Sequence, residues 1–590
     1  MVVTQAKSKL NSQINKAKQI HLAGNLSQAQ KQYEKLLKKS PGNRALLSLL
    51  GGVLLQQKKY DRAVDYLKRA IAKDCSDADL RYNLGLGYFH KEQYENAIAA
   101  FKQAVEMNFD HDRAFYMMGK AYLLLDSNKY RVEALQAYLR DIEITDRIDS
   151  AVMSADLLHE EGRHADARGM AKKALEKDPA NEIALWVMAK TMVAENYGNT
   201  TVDVRKAEPI VKIASLILQL HPGSWRGHHV MAEALTMLGE DGLAVEHYEK
   251  LKELKPTMAA ARTSAGVLML RQGRLKDGWE EIAFRKQHGE KLFGMNVSTM
   301  DNCPAPRWQG ELEPGKQLLV ASEQGIGDQM LHCQILKDVL DAGMKVHMTC
   351  TPKILNIMER SLPQVSFYPS NEPVEEEVLN QIDYKAELLD LGKYLRSDIK
   401  DFKQPYYFLS PDQDLVSHFK TKYQQFGNKL KIGIAWKSTS KSVGTLKSTE
   451  LKQWRHLLSI PGAQFISIQY GDIADDIAEA KARFDADIFV DDFDPFKDIE
   501  KAVAQIAALD LVVSVSNAAV HMSGQLQVPT WVLLNHRTLW HWFNDTEDTV
   551  WYQNYKLYRQ RQLESWDPVF ERITHDLNGY VQNLNTDIGE

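Results

Sequence analysis

Leu509 to Leu534, LDLVVSVSNAAVHMSGQLQVPTWVLL, reads as strand, tight turn, short helix and strand. Leu509 to Val515 is an apolar, β-branched run that breaks at Ser516-Asn517, both good helix N-caps, and Ala518, Ala519, His521 and Met522 suit the helix that follows. Pro529 ends that helix and Thr530 to Leu534 supplies the second strand. A strand that is apolar on both faces belongs in a parallel sheet, so the turn after it lies at the carboxyl edge, where open α/β sheets bind ligands. The free N–H groups of the new helix then point at an anion, and phosphate is the natural guest.

The same grammar extends back through the second half of the chain. Leu430 to Trp436 is a buried-type strand, followed by a helix over Thr449 to Leu458 and a strand over Gln464 to Gln469. Further upstream, Gln317 to Ala321 is strand-like, Gly325 and Gly327 permit unusual backbone angles or close ligand approach, and Gln329 to Leu340 has helical periodicity. This glycine loop is not a G-x-G-x-x-G fingerprint. Strand-like Lys345 to Cys350, helix-like Lys353 to Arg360 and strand-like Val365 to Tyr368 follow. Alternating β and α segments predict two Rossmann-like halves facing each other across a cleft, with ligands between them.

Composition shifts after Arg285, and Asp301 to Gly315 (DNCPAPRWQGELEPG) is rich in turn residues, as a linker is. Before it, a small residue followed by apolar or aromatic residues at i+4 and i+7 recurs. Ala29/Tyr33/Leu36, Ala63/Leu67/Ala70 and Ala97/Phe101/Ala104 repeat at the 34-residue period of tetratricopeptide units. Looser matches continue at Ala134, Ala167, Ala207, Ala244 and Gly278, with insertions near Ser127-Asn128 and Tyr197 to Thr201. Such an array is either a scaffold or self-association surface, or a groove that captures a polypeptide for the second half to modify.

The net charge of -5, with both signs interspersed, gives no sign of a nucleic-acid or anionic-membrane surface. Cys75, Cys303, Cys333 and Cys350 are not spaced as a metal knuckle or redox pair and suit small core positions in a reducing compartment. The N-terminus lacks an apolar signal core and no run is long enough to span a bilayer, so a cytoplasmic protein without membrane insertion is expected.

Seven motifs in order carry a resemblance: PRWQG (Pro306 to Gly310), ASEQGIGDQ (Ala321 to Gln329), IGIAWK (Ile432 to Lys437), LKSTELKQW (Leu446 to Trp454), SIQYGD (Ser467 to Asp472), the Leu509 to Leu534 stretch, and LWHWF with WYQNYKLYRQ (Leu539 to Gln560). Their order resembles that of the bacterial tetratricopeptide-repeat glycosyltransferases, whose catalytic half is of the GT-B type and similar to heptosyltransferases. Within that group the likeness is to flagellin glycosyltransferases, which attach sugar to Ser or Thr. The implied architecture is an α plus α/β multidomain chain, a tetratricopeptide α-solenoid followed by a GT-B fold of two Rossmann-like domains. The expected spans are a superhelix over 1–295, a linker over 296–315, an acceptor-side half over 316–415, a nucleotide-sugar half over 428–560 and a C-terminal helix over 561–590.

The resemblance implies an inverting, metal-independent transfer with a nucleotide-sugar donor, no further cofactor, and a protein acceptor, flagellin by likeness, held by the repeat groove. Asp328 of the glycine loop is the implied base, although an aspartate opening a helix also serves as a cap. Lys437, Lys447, Gln469, Ser516, Asn517, Ala518 and His521 form the expected donor site, with Lys437 placed first because it directly follows a strand; Lys441 lies close by. Glu323, Gln324, Gly325 and Gly327 form the acceptor-side loop, or a structural cap. His521 is either a donor contact or a hydrogen-bonded core residue. Two departures stand out: Ser516-Asn517 replaces the Asp-Thr of many relatives, and Lys447 offers a point charge where an arginine fork is frequent.

Asp491-Asp492-Phe493-Asp494 could be mistaken for a metal site but is expected to favour the N-terminus of the helix after Asp498. The aromatic tail either stacks on a ligand or packs the last helices onto the domains. Rival readings are a transferase of the same fold acting on lipid or polysaccharide, and a non-catalytic repeat adaptor with a degenerate transferase half.

Overall fold

The computed structural model describes residues 2–74, 76–198, 204–288, 297–438, 444–544, 546–561 and 565–587. They fall into two compact units, Met1–Ala194 and Glu195–Glu590. The insertion at Tyr197 to Thr201 lies largely outside the described residues, as do Lys441 and Cys75.

The first unit is a tetratricopeptide solenoid of paired helices. Arg44–Gln56 packs on Tyr60–Ile71, Ala78–Phe89 on Tyr94–Met107, Ala114–Asp126 on Arg131–Thr145, and Ile148–Glu160 on His164–Lys177. The periodic small residues Ala29, Ala63, Ala97, Ala134 and Ala167 are fully buried at these contacts. A Cβ on Gly85 would lie 2.5 Å from Phe101 Cε1, and one on Gly51 2.6 Å from Leu67 Cγ, so the helices touch only because the first of each pair lacks a side chain there. Asn43 and Asp77 cap successive repeats by accepting the Leu46 and Leu80 N–H groups, each at 3.1 Å.

The second unit begins with more helices of the same kind: Val204–Leu220, Trp225–Leu238, Asp241–Leu254, Ala259–Arg271 and Leu275–Ile282. Two parallel sheets follow. β1 (Gln317–Ala321), β2 (Lys345–Cys350), β3 (Val365–Pro369) and β4 (Tyr384–Glu387) have the order β3-β2-β1-β4. β5 (Leu430–Ala435), β6 (Ala463–Ser467), β7 (Ile488–Phe489), β8 (Leu511–Val515), β9 (Thr530–Leu534) and β10 (Tyr555–Arg559) have the order β10-β9-β8-β5-β6-β7. Counted from its own first strand, the second sheet runs 3-2-1-4-5-6, the doubly wound order, and its strand order reverses between β5 and β8.

Both faces of the second sheet are buried, which is why its strands read as apolar runs. Leu511, Val513, Val515, Trp531 and Leu533 face the layer holding Val569, Phe570, Ile573 and Leu577 of the C-terminal helix, Asp567–Asp587. Val512, Val532 and Leu534 face the opposite layer, with Ile499, Val503 and Ile506 of the helix Ile499–Ala507. Each such aliphatic side chain contributes about 1.5–3 kcal/mol on burial.

Several elements differ from the sequence reading. The helix expected from Gln329 begins at Ile326 and is broken by a 3-10 turn, Cys333–Ile335. The helix expected over Thr449 to Leu458 is a 3-10 turn, Leu451–Trp454, running into a single turn, Arg455–Leu458. β4, β7 and β10 were not anticipated; β10 lies inside the aromatic tail. The turn-rich stretch before β1 packs along β4: Trp308 is buried and its N–H donates to the Lys385 carbonyl at 2.9 Å. Cys303, Cys333 and Cys350 are buried thiols. Among the described residues no helix is long and apolar enough to cross a membrane.

Candidate functional site

Each sheet sends a loop and a helix from the carboxyl end of its first or fourth strand, and two of these helices pack together. Ile326–His332 follows β1, and Ala518–Gln525 follows β8. A Cβ on Gly327 would lie 3.0 Å from His521 Cδ2 and 3.2 Å from Ala518 Cα, so this glycine sets how closely the helices approach.

On the β1 side, Gln324 takes a left-handed backbone, φ +61°, which holds the loop in a conformation that side chains disfavour. Asp328 Oδ2 accepts the Gly325 N–H at 3.2 Å, closing the loop on itself as a cap would. Its carboxyl is pushed above the usual range by burial, against the pull of that N–H and of the Lys447 charge. Glu323 is buried and gripped by Arg285, whose Nε and Nη2 donate to its two oxygens at 2.9 and 2.7 Å. It therefore braces the loop and offers no free oxygen to a ligand.

On the β5 and β8 side, Gln469 Oε1 accepts the Trp436 and Lys437 N–H groups at 2.9 and 2.7 Å, pinning the end of β5 to the end of β6. Lys437 itself is paired with Asp476 at 2.5 Å. Lys447, by contrast, is 8% exposed and no carboxylate lies within salt-bridge distance among the described residues. Burial lowers its pKa, and Asp328 is the charge that opposes this. Asn517 caps the helix through Oδ1, which accepts the Ala519 N–H at 3.0 Å, and Ser516 Oγ accepts the Trp542 indole N–H at 2.9 Å.

Behind these groups lies a cluster the sequence reading missed. His521 stacks on Trp542 with ring centroids 5.5 Å apart, and His541 is edge-on to it at 5.1 Å. His332 Nδ1–H donates to the Asp328 carbonyl at 2.8 Å, and its ring stacks on Trp540. The Nε2 atoms of His332 and His541 are buried without a hydrogen-bond partner. Burial draws His332 down to about 4 and His521 to about 3, and lowers His541 as well, so all three are neutral imidazoles at pH 7. The only signal in the sequence was a histidine between two tryptophans in LWHWF.

The acidic run at 491–494 is engaged elsewhere. Asp491 accepts from the Tyr423 hydroxyl at 2.6 Å and from Gln505 at 2.7 Å and pairs with Lys422, while Asp498 caps its helix through the Lys501 N–H. Among the described residues no group of three or more His, Cys, Asp or Glu side chains is arranged to hold a metal ion. The site presents the Asp328 carboxylate, its pKa raised by burial, the buried Lys447 and neutral imidazoles, a set suited to moving a proton beside a developing negative charge.

Tetratricopeptide-repeat family models match residues 23–79 and 78–111. Protein FlbA of Caulobacter vibrioides is 24% identical over 510 residues, covering 83% of this chain and 82% of that one. The human protein O-mannosyl-transferase TMTC2 is 32% identical over 117 residues, 19% of this chain and 14% of its own length. Among solved structures, MamA matches 28% of the chain at 27% identity and a TM-score of 0.26. YrrB, described as a TPR protein with an unusual peptide-binding site, matches 33% at 19% identity and a TM-score of 0.30. The chain is a tetratricopeptide solenoid followed by a region of parallel α/β sheets.

Proposed function

We propose that the chain is a protein O-glycosyltransferase of GT-B type that moves a sugar from a nucleotide-sugar to Ser or Thr of a polypeptide, flagellin being the acceptor the sequence resemblance favours. The observation that carries this reading is the packing of the helices that leave the carboxyl ends of two parallel sheets, with the partly buried Asp328 and the buried Lys447 near enough for their charges to act on each other. The repeats supply a polypeptide-binding array, and one relative, TMTC2, is a protein O-mannosyl-transferase by name. The acceptor side is 316–415 and the donor side 428–560; the enzyme works in the cytoplasm without a metal or further cofactor.

In this reading Asp328 takes the proton of the acceptor hydroxyl as its oxygen attacks the anomeric carbon. The bond to the nucleotide phosphate breaks, and the electron pair leaves on the phosphate. Lys447 stabilises that charge, inside a site where low dielectric makes it count for more than in water. The turn Ser516 to Ala518 and the first N–H groups of its helix take the phosphate oxygens. His521, neutral, contributes a hydrogen bond to the donor, and Gln469 holds the strand end from which Lys437 projects. Glu323, Gln324, Gly325 and Gly327 shape the acceptor loop.

A second reading is a non-catalytic adaptor, favoured by the engagement of Lys437, Ser516 and Asn517 in bonds within the chain. Thermal unfolding with UDP, GDP, CMP and their sugar conjugates separates the two. A ligand at a hundred times its Kd adds about 2.7 kcal/mol. A shift with one nucleotide class supports the transferase; no shift with any of them at saturation leaves the adaptor.

A further inference from the structure

A second opening lies at the carboxyl edge of the same sheet, beyond the strands that form the candidate transfer site. Its walls are the ends of β9 and β10 and, opposite them, Asp241 and Arg271 of the helices Asp241–Leu254 and Ala259–Arg271; its volume is about 490 Å³. The Arg271 guanidinium is fully occupied. It is buried, donates to Asp241 and to the Thr538 carbonyl, and Asp241 also accepts from Asn544 at 3.0 Å. That pair is the neutral floor of the cavity.

The remaining lining is cationic. Arg559 is engaged by the Thr546 and Trp542 carbonyls, and Arg561 and Arg572 share the remaining wall with one carboxylate, Glu547. Arg572 donates through Nη2 to the Arg559 carbonyl at 2.6 Å, a neutral acceptor. Neither Arg561 nor Arg572 has a salt bridge among the described residues. Thr538 also lines the cavity; it is 5% exposed, and its hydroxyl has no hydrogen-bond partner. A buried orphan donor beside guanidinium groups without a salt bridge is costly unless something accepts from it.

We propose that this cavity binds a small oxyanion, held by the forks of Arg561 and Arg572 and by the Thr538 hydroxyl. Guanidinium groups match carboxylate and phosphate oxygens in pairs, and the carboxyl ends of parallel strands are where such sheets hold ligands. The group comes either from a free phosphate or from the carboxylate of an acidic side chain presented by a bound polypeptide. The site stands apart from the transfer site, and the inference does not depend on the transferase reading.

The test is isothermal titration of the full chain with inorganic phosphate and, in parallel, acetate at low ionic strength. Saturable binding of one phosphate per chain is expected, weakening as salt rises. R561Q/R572Q together should weaken it at least tenfold and Thr538→Val by a smaller factor, while the circular dichroism spectrum and thermal midpoint stay unchanged. A preference for phosphate assigns the phosphoryl source; comparable affinity for acetate assigns the carboxylate. No binding of either ion, or equal binding by the double variant, overturns the proposal.

Discussion

Arg285 Nη2 lies 2.7 Å from Glu323 Oε1, with both side chains 1% exposed, and the same nitrogen reaches Asp390 Oδ1 at 2.9 Å. One arginine at the end of the helical region thus fixes the loop after β1 and the segment after β4. Burial works against the Asp390 carboxylate, but the Arg285 and Lys286 charges outweigh it and hold its pKa below the usual range. Removing Arg285 leaves Glu323 buried without its partner and Asp390 held by Lys286 alone, so Arg285→Ala is expected to destabilise the second unit by about 3–5 kcal/mol in urea unfolding. A loss under about 1 kcal/mol, the size of a surface ion pair, would show that the network relaxes without strain.

Asp328→Asn is expected to abolish sugar transfer and to leave nucleotide binding intact, since the amide keeps the loop's shape but cannot take a proton. Because burial raises the Asp328 pKa, the acid limb of the rate profile should lie above the ordinary aspartate value of 3.8. The rate falls as pH drops through that raised pKa, where the base becomes protonated. Retained turnover in the Asn variant, or a limb at the ordinary value, would remove Asp328 from the role.

Lys447→Met should weaken nucleotide affinity tenfold or more, about 1.4 kcal/mol. Lys437→Ala should cost less, because that lysine must first leave Asp476. Titration of both variants with the nucleotide that shifts the wild type ranks them, and the reverse order would favour Lys437 as the phosphate contact.

Gly327→Ala places a methyl 3.0 Å from the His521 ring and 3.2 Å from the Ala518 backbone. Overpacking of this kind costs about 1–3 kcal/mol, and here it also separates the two helices that carry the site. Melting should fall, and turnover should fall further than stability alone explains. Ser322→Ala, at the start of the same loop, is the control for a general loss of rigidity.

Much of this architecture was legible because burial on both faces leaves an unmistakable trace. The runs at 345–350 and 530–534 could be read as strands with their observed ends. β10 was not, because YKLYR mixes tyrosines with Lys556 and Arg559 and reads as packing until β9 is seen beside it. β7 has two residues, too few for any period. The helix after β1 begins in the glycine loop, where apolar periodicity has not yet started. Asp328, Lys447 and His521 were singled out by the resemblance, but the burial of Lys447 could not be read from its Ser/Thr-rich loop. His541 was hidden for the same reason: its meaning lies in the ring of His521 against it.

The buried histidines make acid sensitivity a direct test of that cluster. In the unfolded chain each imidazole titrates near 6.5; in the folded protein burial holds His332 at about 4 and His521 at about 3. Between those values the unfolded state binds protons that the folded state refuses, so stability is full above pH 6.5 and declines as pH falls toward 4. Each histidine contributes a slope of up to about 1.4 kcal/mol per pH unit in that window. The wild-type urea midpoint should therefore fall between pH 7.5 and pH 5, and His541→Phe, which removes one titrating group while keeping a ring against His521, should flatten the decline. Identical pH profiles for wild type and variant would mean that His541 takes up its proton alike in the folded and unfolded chains, and the neutral cluster would have to be abandoned.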